Sequence, residues 1–194
     1  MLENWKDKKN CFIEKKEVES ELVFGKKSEN QVELCIAIPT FRRTKELFEA
    51  VSSALNQKTN ILYQIIVVDN DADGNPKVYE IMKKICEQHN NVLYYRNKKN
   101  LGMFGNLNRC IQLANSEWIT ILHDDDMLKE NYINNIYAEL KKHKYGIIGV
   151  FPEFREDIQG QLTESSKCLK TNKIKRIISK LSKGKTVELG IKNF

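Results

Sequence analysis

Apolar residues along the chain follow two alternating rhythms. Short, mainly apolar runs recur at Leu34–Ile38 (LCIAI), Gln64–Val68 (QIIVV), Val92–Tyr95 (VLYY), Trp118–Leu122 (WITIL) and Ile147–Phe151 (IIGVF). Each reads as a strand buried on both faces. Between them the apolar positions lie three and four apart: Leu47, Val51, Ala54 and Leu55, then Val78, Ile81, Met82 and Ile85, then Leu107, Ile111 and Ala114, then Ile133, Ile136, Tyr137 and Leu140. That spacing predicts helices with one buried stripe, the first of them with Thr44 as its N-cap. Strand and helix alternate through short connections. The pattern therefore predicts an α/β domain with right-handed crossovers, a mostly parallel central sheet and helices on both faces. Ligands of such sheets lodge beyond the C-terminal ends of the strands. The residues that follow each strand are the ones to inspect.

Both flanks of this core differ in composition. Residues 1–31 are polar, carry the charge clusters KDKK, EKKE and GKKSE, and show no clear period. They are expected to form an N-terminal extension, with residues 32–155 as the core and 156–194 as a basic C-terminal segment. The net charge of +6 sits in the tail, because residues 167–194 hold nine Lys or Arg against one Glu and the rest of the chain sums to −2. Within that tail Ile174, Ile177, Ile178 and Leu181 form an apolar stripe beside Lys173, Lys175, Arg176, Lys180 and Lys183. A basic amphipathic helix over 172–183 can lie on an anionic membrane surface or pack on a further part of the protein.

Bulk composition narrows the class. Hydrophobic residues make up 41% and charged residues 30%, the profile of a soluble globular protein. No apolar run reaches the roughly 18 residues that span a bilayer. MLENWKDKKN lacks the apolar segment of a secretory signal. The five cysteines, Cys11, Cys35, Cys86, Cys110 and Cys168, are odd in number, widely spaced and without a CxxC pair. They read as reduced thiols. The expected location is the cytoplasm, with peripheral contact to the inner face of the membrane through the tail.

The strand ends carry the chemistry. Pro39 cannot continue a central strand, so PTFRR (Pro39–Arg43) turns there and presents an aromatic ring and two guanidinium groups. These are either ligand groups or an ordinary strand exit. Asp69 and Asn70 can pair with the edge of a base, or form an Asx turn that shapes the loop. Asn100, Gly102 and Gly105 lead into the helix that carries Asn106 and Arg109. Two glycines allow a ligand close to the backbone, although a plain helix start looks the same and the full phosphate fingerprint is absent. The strongest signal is His123-Asp124-Asp125-Asp126 after the apolar WITIL. Two unit charges about 4 Å apart repel by roughly 4 kcal/mol at an effective dielectric near 20. The acids therefore splay into water, as in an acidic first helical turn, or gather around a cation. Oxygen ligands favour Mg²⁺ or Mn²⁺ over zinc.

Taken in order, IAIPTFRR, IIVVDND and NLGMFGNLNRCIQLANSEWITILHDDDML resemble the family 2 glycosyltransferases, over residues 33–151. The resemblance implies the GT-A, Rossmann-like fold and a nucleotide-diphosphate sugar, a UDP-sugar first, lying across the strand ends. Pro39, Thr40 and Phe41, with Arg42 beside them, match the loop that borders base and ribose. Asp69 and Asn70 match the position that reads the base, where many relatives carry two acids. Asn100 and Gly102, with Asn106, match the loop near the ribose and diphosphate. His123-Asp124-Asp125 aligns with the family's Asp-x-Asp motif, with His123 in place of the first Asp. Asp125 then matches the carboxylate that binds Mn²⁺ or Mg²⁺, and Asp124 faces the sugar nucleotide and shares the metal. Asp126 supports the site or contacts the donor sugar.

The chemistry so implied is metal-dependent transfer, with inversion, to a glycan or lipid-linked acceptor, as in cell-surface polysaccharide synthesis. It needs a base to take the acceptor hydroxyl's proton. Beyond the fifth apolar run, Ile147–Phe151, the only acids are Glu153, Glu156, Asp157, Glu164 and Glu188, and FREDIQGQ reads better as a turn than as the site of a base. The chain is accordingly expected to be an N-terminal fragment that binds donor and transfers sugar poorly or not at all. An aspartyl phosphatase would want an acidic pair on its first strand, which here ends in Pro39-Thr40. A nucleic-acid-binding module is disfavoured because no aromatic residues interleave with the basic ones in the tail and the body is slightly acidic. A catalytically silent nucleotide-sugar binder remains a third reading.

Overall fold

The computed structural model describes residues 15–142. Five strands, β1 (Ser20–Phe24), β2 (Val32–Thr40), β3 (Tyr63–Asp69), β4 (Val92–Asn97) and β5 (Ser116–Ile121), form one sheet in the order β1-β4-β3-β2-β5. Four helices connect or follow them: α1 (Lys45–Leu55), α2 (Pro76–Gln88), α3 (Gly102–Leu113) and α4 (Tyr132–Lys142). β2 through β5 are mutually parallel, and β1 runs antiparallel along the outer side of β4.

Alternate residues of a strand point to opposite faces, and the runs read from sequence divide accordingly. Leu34, Ile36 and Ile38 of β2, Ile65 and Val67 of β3 and Tyr94 of β4 face α1, α2 and α4, where they meet Leu47, Val51, Val78, Met82 and Ile133. Cys35, Ala37, Ile66, Val68, Leu93 and Tyr95 face α3 and its Cys110. Both layers are dry: Ile36, Ala37, Ile66 and Val67 are fully enclosed. Burial pushes the Cys35 and Cys110 thiols up to about 12, and the three described cysteines are free. Among the described residues no helix is long and apolar enough to cross a membrane.

Three sequence expectations need correction. The polar extension assigned to residues 1–31 contains β1. SELVF is an edge strand, half-buried, and its flanking glutamates mask the apolar Leu22, Val23 and Phe24 that pack on the two faces. The side chain of Thr44 makes no capping hydrogen bond, although the residue does stand at the start of α1. Of the stripe Leu107–Ile111–Ala114, only Ala114 packs on the core. Ile111 is exposed, and Gly105, Asn106, Arg109 and Cys110 face inward instead. Arg109 explains the inversion. Its guanidinium donates to the carbonyls of Val18 (2.6 Å) and Lys15 (3.3 Å) and to the Ser20 hydroxyl, fastening the start of β1 to the helix. The strand expected at Ile147–Phe151, the helix over 172–183, Cys11, Cys168 and the acids from Glu153 onward lie outside the described residues.

Candidate functional site

The direction in which successive strands are laid across the sheet reverses beside β2. The connections through α1 and α2 step from β2 to β3 to β4, and the connection through α3 returns to the other side of β2, where β5 pairs. Such a switch point opens a crevice between the two diverging strand exits. A cleft of about 570 Å³ lies there. Pro39, Thr40 and Phe41 border it from β2, and His123, Asp124 and Asp125 from the exit of β5. Asn70, Asn100, Gly102 and Asn106 line the side formed by β3 and α3. Sequence reasoning placed all of these residues near a ligand except His123. Arg43 of the PTFRR turn also lines the cleft, as do Met103 and Leu107, which the sequence did not single out for the site, whereas Arg42 and Asp69 do not.

The asparagines hold one another. Asn70 Oδ1 accepts from Asn97 Nδ2 (3.0 Å) and from the Leu101 N–H (2.8 Å), while its Nδ2 donates to Asn100 Oδ1 (2.9 Å) and the Gly102 carbonyl (3.3 Å). The Asn70 amide thereby uses both donors and both acceptor positions. These bonds fix the loop between β4 and α3. Asn97, which sequence reasoning overlooked, donates also to Asn106 Oδ1 (2.8 Å) and accepts from the Ser20 hydroxyl (2.6 Å). Asn106 Nδ2 closes the network on the Val68 carbonyl (3.0 Å). An asparagine at a strand end looks like a turn former in sequence, so no local signal marks such a network. Of the two glycines, only Gly102 faces open space: it has φ +71° and no atom within 4 Å of where a Cβ would stand. A Cβ on Gly105 would lie 2.8 Å from that of Leu101, so that glycine serves packing within the protein.

Asp69 lies beneath the rim. Its Oδ2 accepts from the Tyr94 hydroxyl (2.7 Å) and its Oδ1 from the Asp71 N–H (2.9 Å), which is the Asx turn. Burial raises the carboxyl above its ordinary value, and the Tyr94 hydroxyl pulls it partly back. Arg96, level with Asp69 in the sheet, sits over the rings of Tyr79 and Tyr94, with its Nε buried and unpaired. A pH dependence follows. Because the folded-state value of Asp69 is raised, its ionisation opposes folding as pH climbs through that value. Tyr94→Phe removes the hydrogen bond that eases the charge. It should cost about 2 kcal/mol above that titration and progressively less below it. Urea unfolding from pH 4 to 8 checks this, and a loss that does not vary with pH would refute the coupling.

The aspartates at the mouth are differently placed. Asp124 is nearly buried and its Oδ2 accepts from the Thr40 hydroxyl (2.8 Å). Asp125 is half-exposed, and its Oδ2 accepts from Arg43 Nη1 (3.0 Å). Arg43 Nε also approaches Asp124 Oδ1 at 3.5 Å. Asp126 is exposed, with its N–H on the His123 carbonyl (3.1 Å). Arg42, expected to face the donor, turns the other way. It contacts Asp71 (3.3 Å) and Asp73 (4.0 Å) and lies over the Phe41 ring. The cause is its φ of +58°, a left-handed backbone uncommon outside glycine that makes consecutive side chains diverge.

Among the described residues no three His, Cys, Asp or Glu side chains gather as a metal cage. A hard divalent ion that keeps its waters and is completed by substrate phosphates needs only one or two carboxylates. Asp125, with Asp124 beside it, supplies that set, and the pair already attracts a cationic guanidinium. The donor set therefore fits Mg²⁺ or Mn²⁺.

The chain resembles known proteins in sequence and in fold. The chain is 25% identical over 154 residues to the uncharacterised glycosyltransferase MG060 of Mycoplasma genitalium, covering 70% of this chain and 51% of that protein. It is 28% identical over 132 residues to the GalNAc(5)-diNAcBac-PP-undecaprenol β-1,3-glucosyltransferase of Campylobacter jejuni, covering 68% and 41%. The chain thus spans about half or less of these relatives. Among solved structures, S. aureus TarS 1–349 in complex with UDP-GlcNAc shares the fold with a TM-score of 0.52 at 18% identity, over 58% of this chain and 32% of that one. The model of Glycosyl transferase family 2 matches residues 35–188, and the chain belongs to that family, with its GT-A, Rossmann-like fold.

Proposed function

We propose that the cleft binds a nucleotide-diphosphate sugar, a UDP-sugar first, together with Mn²⁺ or Mg²⁺. In the complete protein it would transfer the sugar with inversion to a glycan or lipid-linked acceptor. The observation that carries this reading is the joining of Asp124 to Thr40 and of Asp125 to Arg43 at the crevice between β2 and β5. A pyrophosphate and its metal need such a place. Pro39 and Phe41 supply an apolar wall, and Gly102 leaves backbone free on the α3 side. Asp125 holds the ion, Asp124 braces the mouth, and the metal when bound neutralises charge on the departing diphosphate. The Campylobacter relative's name, a transferase acting on an undecaprenyl-linked glycan, favours a lipid-linked acceptor. TarS with UDP-GlcNAc favours a uridine donor. Cytoplasmic location, with contact to the inner membrane face, suits such an acceptor.

Thermal-shift measurement against a panel of nucleotide sugars tests the reading. A donor at about 100 times its dissociation constant adds roughly 2.7 kcal/mol, and in a protein of this size that raises Tm by about 5–10 °C. The rise should require Mn²⁺ or Mg²⁺ and should be largest for a UDP-sugar. Equal response to a nucleoside monophosphate, with no metal requirement, would count against it.

A further inference from the structure

Resting on that metal reading, we propose that Arg43 is the built-in counter-ion of the Asp124–Asp125 pair. The guanidinium and a divalent ion then compete for Asp125, and an incoming diphosphate favours the ion by drawing the guanidinium away. One guanidinium spans both carboxylates, with Nη1 at 3.0 Å from Asp125 Oδ2 and Nε at 3.5 Å from Asp124 Oδ1. A Mg²⁺-sized ion would sit about 2.0–2.1 Å from the same Asp125 oxygen. The guanidinium and the ion would compete for the same oxygen, and their mutual repulsion weakens the hold of each. Arg43 is free to leave: its side chain is 44% exposed, and both contacts lie at the cleft mouth. Among the described lining residues it is the only arginine or lysine. An anionic diphosphate entering the cleft therefore meets this guanidinium first, and a planar fork suits phosphate oxygens at least as well as a shared carboxylate pair.

Exchange of partners couples the two ligands. Without nucleotide, Arg43 quiets the repulsion between the neighbouring acids and keeps stray ions off. With nucleotide, the phosphate takes Arg43 and Asp125 becomes free for the metal, which the same phosphate helps to hold. Nucleotide must then tighten metal binding, and metal must tighten nucleotide binding by the same factor. Arg42 takes no part, because it is committed to Asp71 and Asp73 on the other side of the loop.

Mn²⁺ titration followed by the EPR signal of free Mn²⁺, on the 194-residue chain with and without UDP, provides the test. Removing the competing charge in Arg43→Gln should tighten Mn²⁺ binding in the absence of UDP by about tenfold. It should also shrink the tightening that UDP produces. Arg43→Lys keeps the charge and should stay near the parent protein. Asp125→Asn in the Arg43→Gln background should abolish the gained affinity, which locates it. Equal Mn²⁺ affinity for the parent and Arg43→Gln, or an equal gain in Arg43→Lys, would overturn the Arg43 proposal and leave the metal site standing. No Mn²⁺ binding in any form, with or without UDP, would overturn the metal reading itself.

Discussion

Asp125→Asn is expected to weaken Mn²⁺-dependent binding of UDP-GlcNAc by about 3 kcal/mol, roughly a hundredfold, because it removes the half-exposed carboxylate proposed to hold the ion. The substitution keeps the shape and one acceptor oxygen for Arg43. Its side chain is 51% exposed, so the ion pair with Arg43 should contribute little to folding and the melting temperature should hardly move. Asp124→Asn is the less clean experiment. That carboxylate is nearly buried and accepts the Thr40 hydroxyl, so binding and stability would change together. Calorimetric titration of UDP-GlcNAc in Mn²⁺ and in EDTA separates the outcomes. If Asp125→Asn bound donor in Mn²⁺ as tightly as the parent protein does, the ion would have to be held elsewhere.

The largest effect on stability should come from a residue that touches no ligand. Asn97 is fully enclosed at the end of β4 and bridges Ser20 of β1, Asn70 beyond β3 and Asn106 of α3. Asn97→Ala takes the partner from Asn106 Oδ1, leaves Asn70 Oδ1 with only the Leu101 N–H, and opens a small void. Stranded buried polar atoms and lost hydrogen bonds together should cost about 3 kcal/mol, a fall in Tm of about 6–12 °C for a chain of this length. Donor affinity should fall as well, since Asn70 holds Asn100 and Gly102 in place. A loss below about 1 kcal/mol would show that water replaces the amide and that the network is not the organiser described above.

Much of this was legible in the sequence, for identifiable reasons. Leu34–Ile38 and Gln64–Val68 are covered by helices on both faces, so their apolar runs are unbroken and their exits name the functional edge. The acidic cluster after β5 stood out because like charges do not crowd without cause. What stayed hidden depends on side-chain direction. Arg42 and Arg43 are equivalent as letters, and only the left-handed backbone at Arg42 decides which of them reaches Asp124 and Asp125. α3 misled because its inward face carries Asn106 and Arg109, polar groups whose partners lie in distant segments. β1 escaped notice because an edge strand of five residues with charged neighbours has no pattern to break from its surroundings.

The anchoring of β1 by Arg109 bears on where the core begins. Starting the chain at Val32, as the apolar pattern alone invites, would strip Ser20–Phe24 from the outer side of β4. Val92–Asn97 would then present bare amides and carbonyls to any strand that could align with them, including the same segment of a second molecule. The short N-terminal ribbon thus covers the β4 edge with a five-residue strand, and the buried arginine holds that cover in place.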